Sequence, residues 1–129
     1  MDRITLYKSE SPHLKIYMDM YFNDKGQLIF DGCDIGKSVN DAWGDTDYEY
    51  TYTIEPAEVE KLYKVLGVKN ANKRALLLEI KKRFGGNESY SRFGKFMDEN
   101  NIDFTPFTWT WNFEGKIVNN RKKANLSYG

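Results

Sequence analysis

"LKIYMDMYFNDKGQLIFDGC" runs from Leu14 to Cys33, and its reading decides the fold. In its first nine residues Leu14, Ile16, Met18, Met20 and Phe22 fall on one side, and Lys15, Tyr17, Asp19 and Tyr21 on the other. Alternation with period two and one apolar face is the pattern of a half-buried antiparallel strand. "NDKGQ" then reads as a polar turn in which Gly26 can take positive φ, and "QLIFDG" returns as the partner strand. The segment is a β-hairpin. A hairpin commits the chain to antiparallel pairing, and the remaining sequence must supply what covers its apolar face.

Upstream, "RITLYK" (3–8) alternates and reads as another short strand. Downstream the period changes: Ile35, Val39 and Trp43 are spaced by four, which predicts a turn or two of helix with Asp34 at its start. "GDTD" breaks that helix, and "YEYTYTI" (48–54) returns to strand, with Tyr48, Tyr50, Tyr52 and Ile54 on one face and Glu49, Thr51 and Thr53 on the other. Three helices follow. The first begins at Pro56, carries Val59, Leu62, Tyr63 and Leu66 at helical spacing, and stops at Gly67. The second spans about 72–84, with Leu76, Leu77, Ile80 and Phe84 as its buried stripe. The third spans about 88–99 with Asn87 as its cap; it buries Tyr90, Phe93, Phe96 and Met97 and exits through Asn100–Asn101. "IDFTPFTWTW" is the last strand, which Pro106 places at an edge or starts late.

The order is β-β-β-(short α)-β-α-α-α-β. Strands cluster first and helices follow, so the fold class is α+β: a mainly antiparallel sheet with about three helices packed on it. Residues 1–115 form one domain, and 116–129 read as a polar basic tail, loosely ordered. The chain has 129 residues, 40% hydrophobic and 16% aromatic, enough for a core and unlike a disordered chain. A single cysteine, Cys33, rules out an intrachain disulfide and points to a reducing compartment. The first residues lack the apolar stretch of a signal peptide, and no run approaches the roughly twenty apolar residues of a membrane helix. The expectation is a cytoplasmic protein with no membrane partner.

Charge is balanced, with nineteen basic and nineteen acidic residues, but unevenly spread. Residues 31–60 carry nine carboxylates and one lysine, net −8; residues 61–129 carry fourteen basic and six acidic residues, net +8. Zero net charge speaks against a protein built to grip nucleic acid. The basic runs "KKR" (81–83) and "RKK" (121–123), with Tyr90, Trp109 and Trp111 as stacking rings, leave nucleic acid as a secondary alternative.

Catalytic and metal signatures are weak. One His13 and one Cys33 do not make a zinc site. "DAWGDTD" (41–47) departs from the EF-hand spacing. "DGCDIGKS" ends like a phosphate loop, but Asp31 stands where the upstream glycine is required. Cys33 has acidic sequence neighbours, which disfavour a thiolate. No metal and no cofactor are expected. What remains is a contact surface: Asp41, Trp43, Asp45, Asp47 and Glu49, carboxylates around an aromatic, suited to steering and anchoring a basic protein partner.

The runs "DGCDIG", "WGDTDYEYTYTI", "RFGG" and "FGKFMDENNIDFTPFTW" resemble a family of short, mostly uncharacterised bacterial proteins. These have a strand ending in a G-x-D-[IL]-G turn, a GD-x-DYEY strand and a C-terminal helix followed by x-N-x-I-x-[FY]-x-x-[FY]. The resemblance covers about residues 25–111. In this sequence the turn reads Gly32-Cys33-Asp34-Ile35-Gly36 and the strand entry Gly44-Asp45-Thr46-Asp47-Tyr48-Glu49-Tyr50. It implies no catalytic residues. By analogy of class it implies a stoichiometric binder such as an immunity protein, an antitoxin or an inhibitor. The leading expectation is therefore a non-enzymatic protein-binding module. The alternative from another class is a small enzyme or ligand-binding domain, with a pocket between sheet and helices that uses Cys33 or a carboxylate.

Overall fold

A computed structural model describes residues 2–37, 45–111 and 117–121; for Lys37, Asp45, Thr46, Trp111 and 117–121 it describes the backbone alone. Six strands lie side by side in chain order: β1 (Arg3–Glu10), β2 (Leu14–Phe22), β3 (Leu28–Lys37), β4 (Asp45–Ile54), β5 (Thr105–Trp111) and β6 (Ile117–Arg121). All five pairings are antiparallel. Three helices, α1 (Pro56–Val65), α2 (Lys73–Phe84) and α3 (Ser89–Glu99), are inserted between β4 and β5. The chain thus leaves the sheet at Ile54, crosses one face as helices, and returns beside the strand it left. This is the α+β class expected from the pattern of periods.

The hairpin forms as read. Leu14 pairs with Gly36 and Phe22 with Leu28, and Asn23 organises the turn: its Oδ1 accepts from the backbone N–H groups of Lys25 and Gln27, both at 3.0 Å. Such a side chain, hydrogen-bonding its own backbone two residues on, selects a turn over continued strand. The alternation is realised as burial. Ile16, Met18, Met20 and Phe22 are core, while Leu14, at the open end of the strand, is 42% exposed.

The core is one cluster between the helices and this face of the sheet. Tyr52, Phe30 and Phe93 are its largest fully buried side chains. Tyr52 stacks on Tyr90 at 4.0 Å and meets the edge of Phe104 at 4.8 Å, and its hydroxyl donates to the Tyr90 carbonyl at 2.8 Å. That bond satisfies the polar end of an otherwise apolar ring. The helix stripes are those the spacing predicts: Val59, Leu62, Tyr63 and Leu66; Leu76, Leu77, Ile80 and Phe84; Phe93 and Met97. Tyr90 and Phe96 are only partly buried.

Helix ends follow simple rules. The Asn72 side chain accepts from the N–H of Ala75, a cap that contributes about 1 kcal/mol. Gly67, at φ +68°, ends α1: its N–H bonds the Lys64 carbonyl while Val68 N–H bonds Tyr63. This double bond pattern closes a helix through a left-handed residue. Asn101 (φ +56°) does the same for α3, with Ile102 N–H on the Met97 carbonyl. The N-cap of α3 is Glu88 rather than Asn87, and its side chain makes no capping bond.

Two expectations are corrected. The short helix starting at Asp34 is not formed: β3 continues to Lys37, with Ile35 paired to Lys15 on one side and to Asp47 on the other. A strand with partners on both sides satisfies all its backbone groups, which one isolated helical turn does not. Val39 and Trp43, the rest of that expected helix, lie outside the described residues. Secondly, Ile117–Arg121, read as part of a loose tail, form β6 against β5. Of the two readings of Pro106, an edge strand or a late start, the late start holds: β5 begins at Thr105 and has strands on both sides. β1 also carries a bulge between Thr5 and Tyr7, which turns both Leu6 and Tyr7 toward the core.

Candidate functional site: the open face of the sheet

All three described helices pack on one face of the sheet. The other face can be read row by row from the strand register. One row runs Lys8, Tyr17, Cys33, Glu49, Trp109; the next runs Thr5, Asp19, Asp31, Thr51, Phe107; a third places Lys15, Ile35 and Asp47 in line with Trp111. No described helix covers these residues, and most are half-buried by one another. Carboxylates and rings therefore interleave on one surface.

Of the site residues expected from sequence, Asp47 and Glu49 sit on this face, two residues apart on β4. Asp45 opens β4 opposite Lys37 in the register. Asp41 and Trp43 lie outside the described residues. The structure adds two carboxylates that the sequence reading did not connect to the site, Asp19 on β2 and Asp31 on β3. They are directly opposite each other across the β2–β3 pair. The available signal was the hairpin itself. The same period that assigns Met18, Met20 and Phe30 to the core assigns Tyr17, Asp19, Tyr21 and Asp31 to the other side.

The carboxylates differ in how they are held. Arg3 donates to Asp19 Oδ2 from Nε (3.1 Å) and Nη2 (2.8 Å) and lies over the Tyr21 ring at 4.7 Å. Trp109 donates its indole N–H to Glu49 Oε2 at 2.9 Å, and its ring sits 5.2 Å from Phe107. Asp31 is the strained one. Burial raises its carboxyl above the usual range, Arg3 opposes that, and Glu49 and Asp19 add to it. Among the described side chains of this face, the positive ones (Arg3, Lys8, Lys15) belong to β1 and β2. The central strands β3 and β4 present Asp31, Asp47 and Glu49 with no cation among their described side chains. Among the described residues no three metal-ligating side chains converge closely enough to hold an ion.

Cys33 lies in the middle of this face, not at a strand end as expected. Burial first, and then the charges of Glu49, Asp47, Asp34 and Asp31, push its thiol up to about 11. Nucleophilicity requires the thiolate. At neutral pH the native thiolate fraction should be about 100-fold below that of an unfolded cysteine titrating at 9.0, and alkylation correspondingly slower. Native and urea-denatured rates with iodoacetamide measure this directly. A native rate equal to or above the denatured one would restore the thiol-enzyme alternative.

The basic run 81–83 and Trp109, paired in the sequence reading, lie on opposite sides of the sheet. Lys81, Lys82 and Arg83 are on the helix layer, with Arg83 bound to Glu79 at 2.6 Å, while Trp109 is on the open sheet face beside Glu49. Compared with protein families, with curated proteins and with solved structures, the chain matches none.

Proposed function

We propose that this protein is a non-enzymatic binding module of the immunity-protein or inhibitor kind, and that it presents the open sheet face to a basic protein partner. One observation carries the reading. The central strands place Asp31, Asp47 and Glu49 among Tyr17, Phe107 and Trp109, with no described helix over them and no described cation between them. Negative charge speeds and orients the encounter with a basic surface, and flat aromatic rings supply the anchoring contact. The size is adequate. Six strands span about 24 Å, and at five to ten residues each they run on average roughly 27 Å, giving about 650 Å². That approaches the roughly 800 Å² each partner contributes to a standard interface. Asp45, which opens β4, and Asp41 and Trp43, which lie outside the described residues, complete the proposed binding set.

The test is capture from a lysate of the source organism on the immobilised protein, at low and at high salt. The expected result is one basic protein, retained in a one-to-one complex at low salt and released at high salt. Recovery of nucleic acid or a small molecule in place of a protein, or a complex indifferent to salt, overturns the reading.

A further inference from the structure

On the helix-bearing side, where the sheet extends past the helices, lies a second feature. A cavity of about 250 Å³ is lined by Met18, Asp34, Tyr48, Tyr50, Asn87 and Tyr90 among others. Tyr50 stands between the other two rings, 5.5 Å from Tyr48 with planes inclined at 38° and 4.9 Å from Tyr90 with planes at 68°. The three rings form inclined walls and not a stack. The Tyr50 hydroxyl donates to Asp34 Oδ1 at 2.6 Å. The other Asp34 oxygen has no hydrogen bond, and Asp34 no ion pair, among the described residues. The cup is built by the chain: Gly32 has no side chain to hold the Tyr50 ring off the sheet, so the ring lies across β3 and its hydroxyl reaches Asp34. The two runs singled out in the sequence, Gly32-Cys33-Asp34 and Tyr48-Glu49-Tyr50, supply its floor and walls.

Aromatic faces carry negative potential, and so does the carboxylate. An anion is repelled by both. A neutral apolar guest leaves the carboxylate desolvated without compensation. Among the described residues no set of metal ligands converges here. The complementary guest is a compact cation with an apolar skin, small because the cavity falls below the roughly 300–1,000 Å³ of pockets for drug-sized ligands. We infer that this cup binds a small organic cation, a primary or methylated ammonium group, held by Asp34 and enclosed by Tyr48, Tyr50 and Tyr90. Such a group is borne by a free amine or by a lysine side chain of another protein. The site lies on the opposite side of the sheet from the acidic face and does not depend on the function proposed for that face.

The experiment is an NMR titration of the tyrosine ring resonances with tetramethylammonium chloride and with butylammonium chloride, at ionic strength matched by sodium chloride. The neutral isostere 3,3-dimethylbutan-1-ol serves as the control. Saturable shifts at Tyr48 and Tyr90 with roughly millimolar affinity are expected for the cations and not for the alcohol. Asp34→Asn keeps an acceptor for the Tyr50 hydroxyl and should weaken cation binding about tenfold. Tyr48→Leu changes a side chain that is 39% exposed, leaves the core intact, and should weaken binding severalfold. Absence of saturation in the wild type, an equal response to the alcohol, or unchanged binding in both variants overturns the inference. A peptide with one central lysine distinguishes the sources, measured beside its acetyl-lysine counterpart. Tighter binding than butylammonium assigns the cup to a protein side chain, and weaker binding assigns it to a free amine.

Discussion

Alanine at position 32 destabilises the protein by about 2–4 kcal/mol, a large cost for one methyl group. A Cβ built on Gly32 falls inside the van der Waals envelope of the Tyr50 ring, overlapping Cε2, Cδ2 and Cζ. The ring cannot step aside. It is 4% exposed, sits against Tyr90 and Tyr48, and is tied at its far end to Asp34. Accommodating the methyl means overpacking, or lifting the ring and losing the hydrogen bond to a charged acceptor. The sign reverses once the ring is gone. In a Tyr50→Ala background the three atoms nearest the new methyl are gone, and replacing glycine in a strand interior should then stabilise by about 0.5–1 kcal/mol. Urea unfolding of the four proteins in this double-mutant cycle measures the coupling. An equal cost of Gly32→Ala in both backgrounds would place the effect in the backbone and not in the Tyr50 contact.

The same pair shows where sequence reading succeeds and where it stops. Period two identifies Tyr50 as a core-facing strand residue, and period 3.6 identifies the helix stripes, because each depends only on neighbours along the chain. Gly67 and Asn101 are legible for the same reason: a left-handed exit from a helix is a local event. The placement of the Tyr50 ring over Gly32 depends on the register between β3 and β4, which no local pattern encodes. The length of β3 is of that kind too. Ile35 and Gly36 carry no strong strand signal, and pairing on both sides is what extends the strand to Lys37. In β5 Thr108 faces inward and the Phe107 and Trp109 rings outward. Pro106 and Thr108 sit opposite Tyr52 and Tyr50, large rings that already fill the space under the helices. Asp47 and Glu49 stood out as part of an acidic run. Asp19 and Asp31 were not linked to each other, because they lie on different strands, twelve residues apart, until the register sets them side by side.

Neutralising the central carboxylates should move stability and binding in opposite directions. Consider Asp31→Asn, Asp47→Asn and Glu49→Gln together. Asp31 faces Asp19 directly, and like charges so placed are unfavourable. Its carboxyl is raised by burial and by Glu49 and Asp19 against the pull of Arg3. A group whose folded pKa exceeds its unfolded value stabilises fully below the unfolded pKa, and that contribution is lost as pH rises through the folded pKa. Ionised Asp31 is thus a net cost at neutral pH. The variant should be more stable than the wild type by about 0.5–1 kcal/mol there, with the difference shrinking or reversing in acid. Glutamine at position 49 still offers an oxygen to the Trp109 indole, which holds that ring in place. Binding to the captured partner should fall by about 100-fold, near 1 kcal/mol per charge removed, with most of its salt dependence gone. Chemical denaturation across pH, and titration of the purified partner at two salt concentrations, measure the two effects. A variant that is more stable and binds undiminished removes this face from the function. One that is less stable at neutral pH makes the carboxylates part of the fold, and their clustering on the open face then needs no partner to explain it.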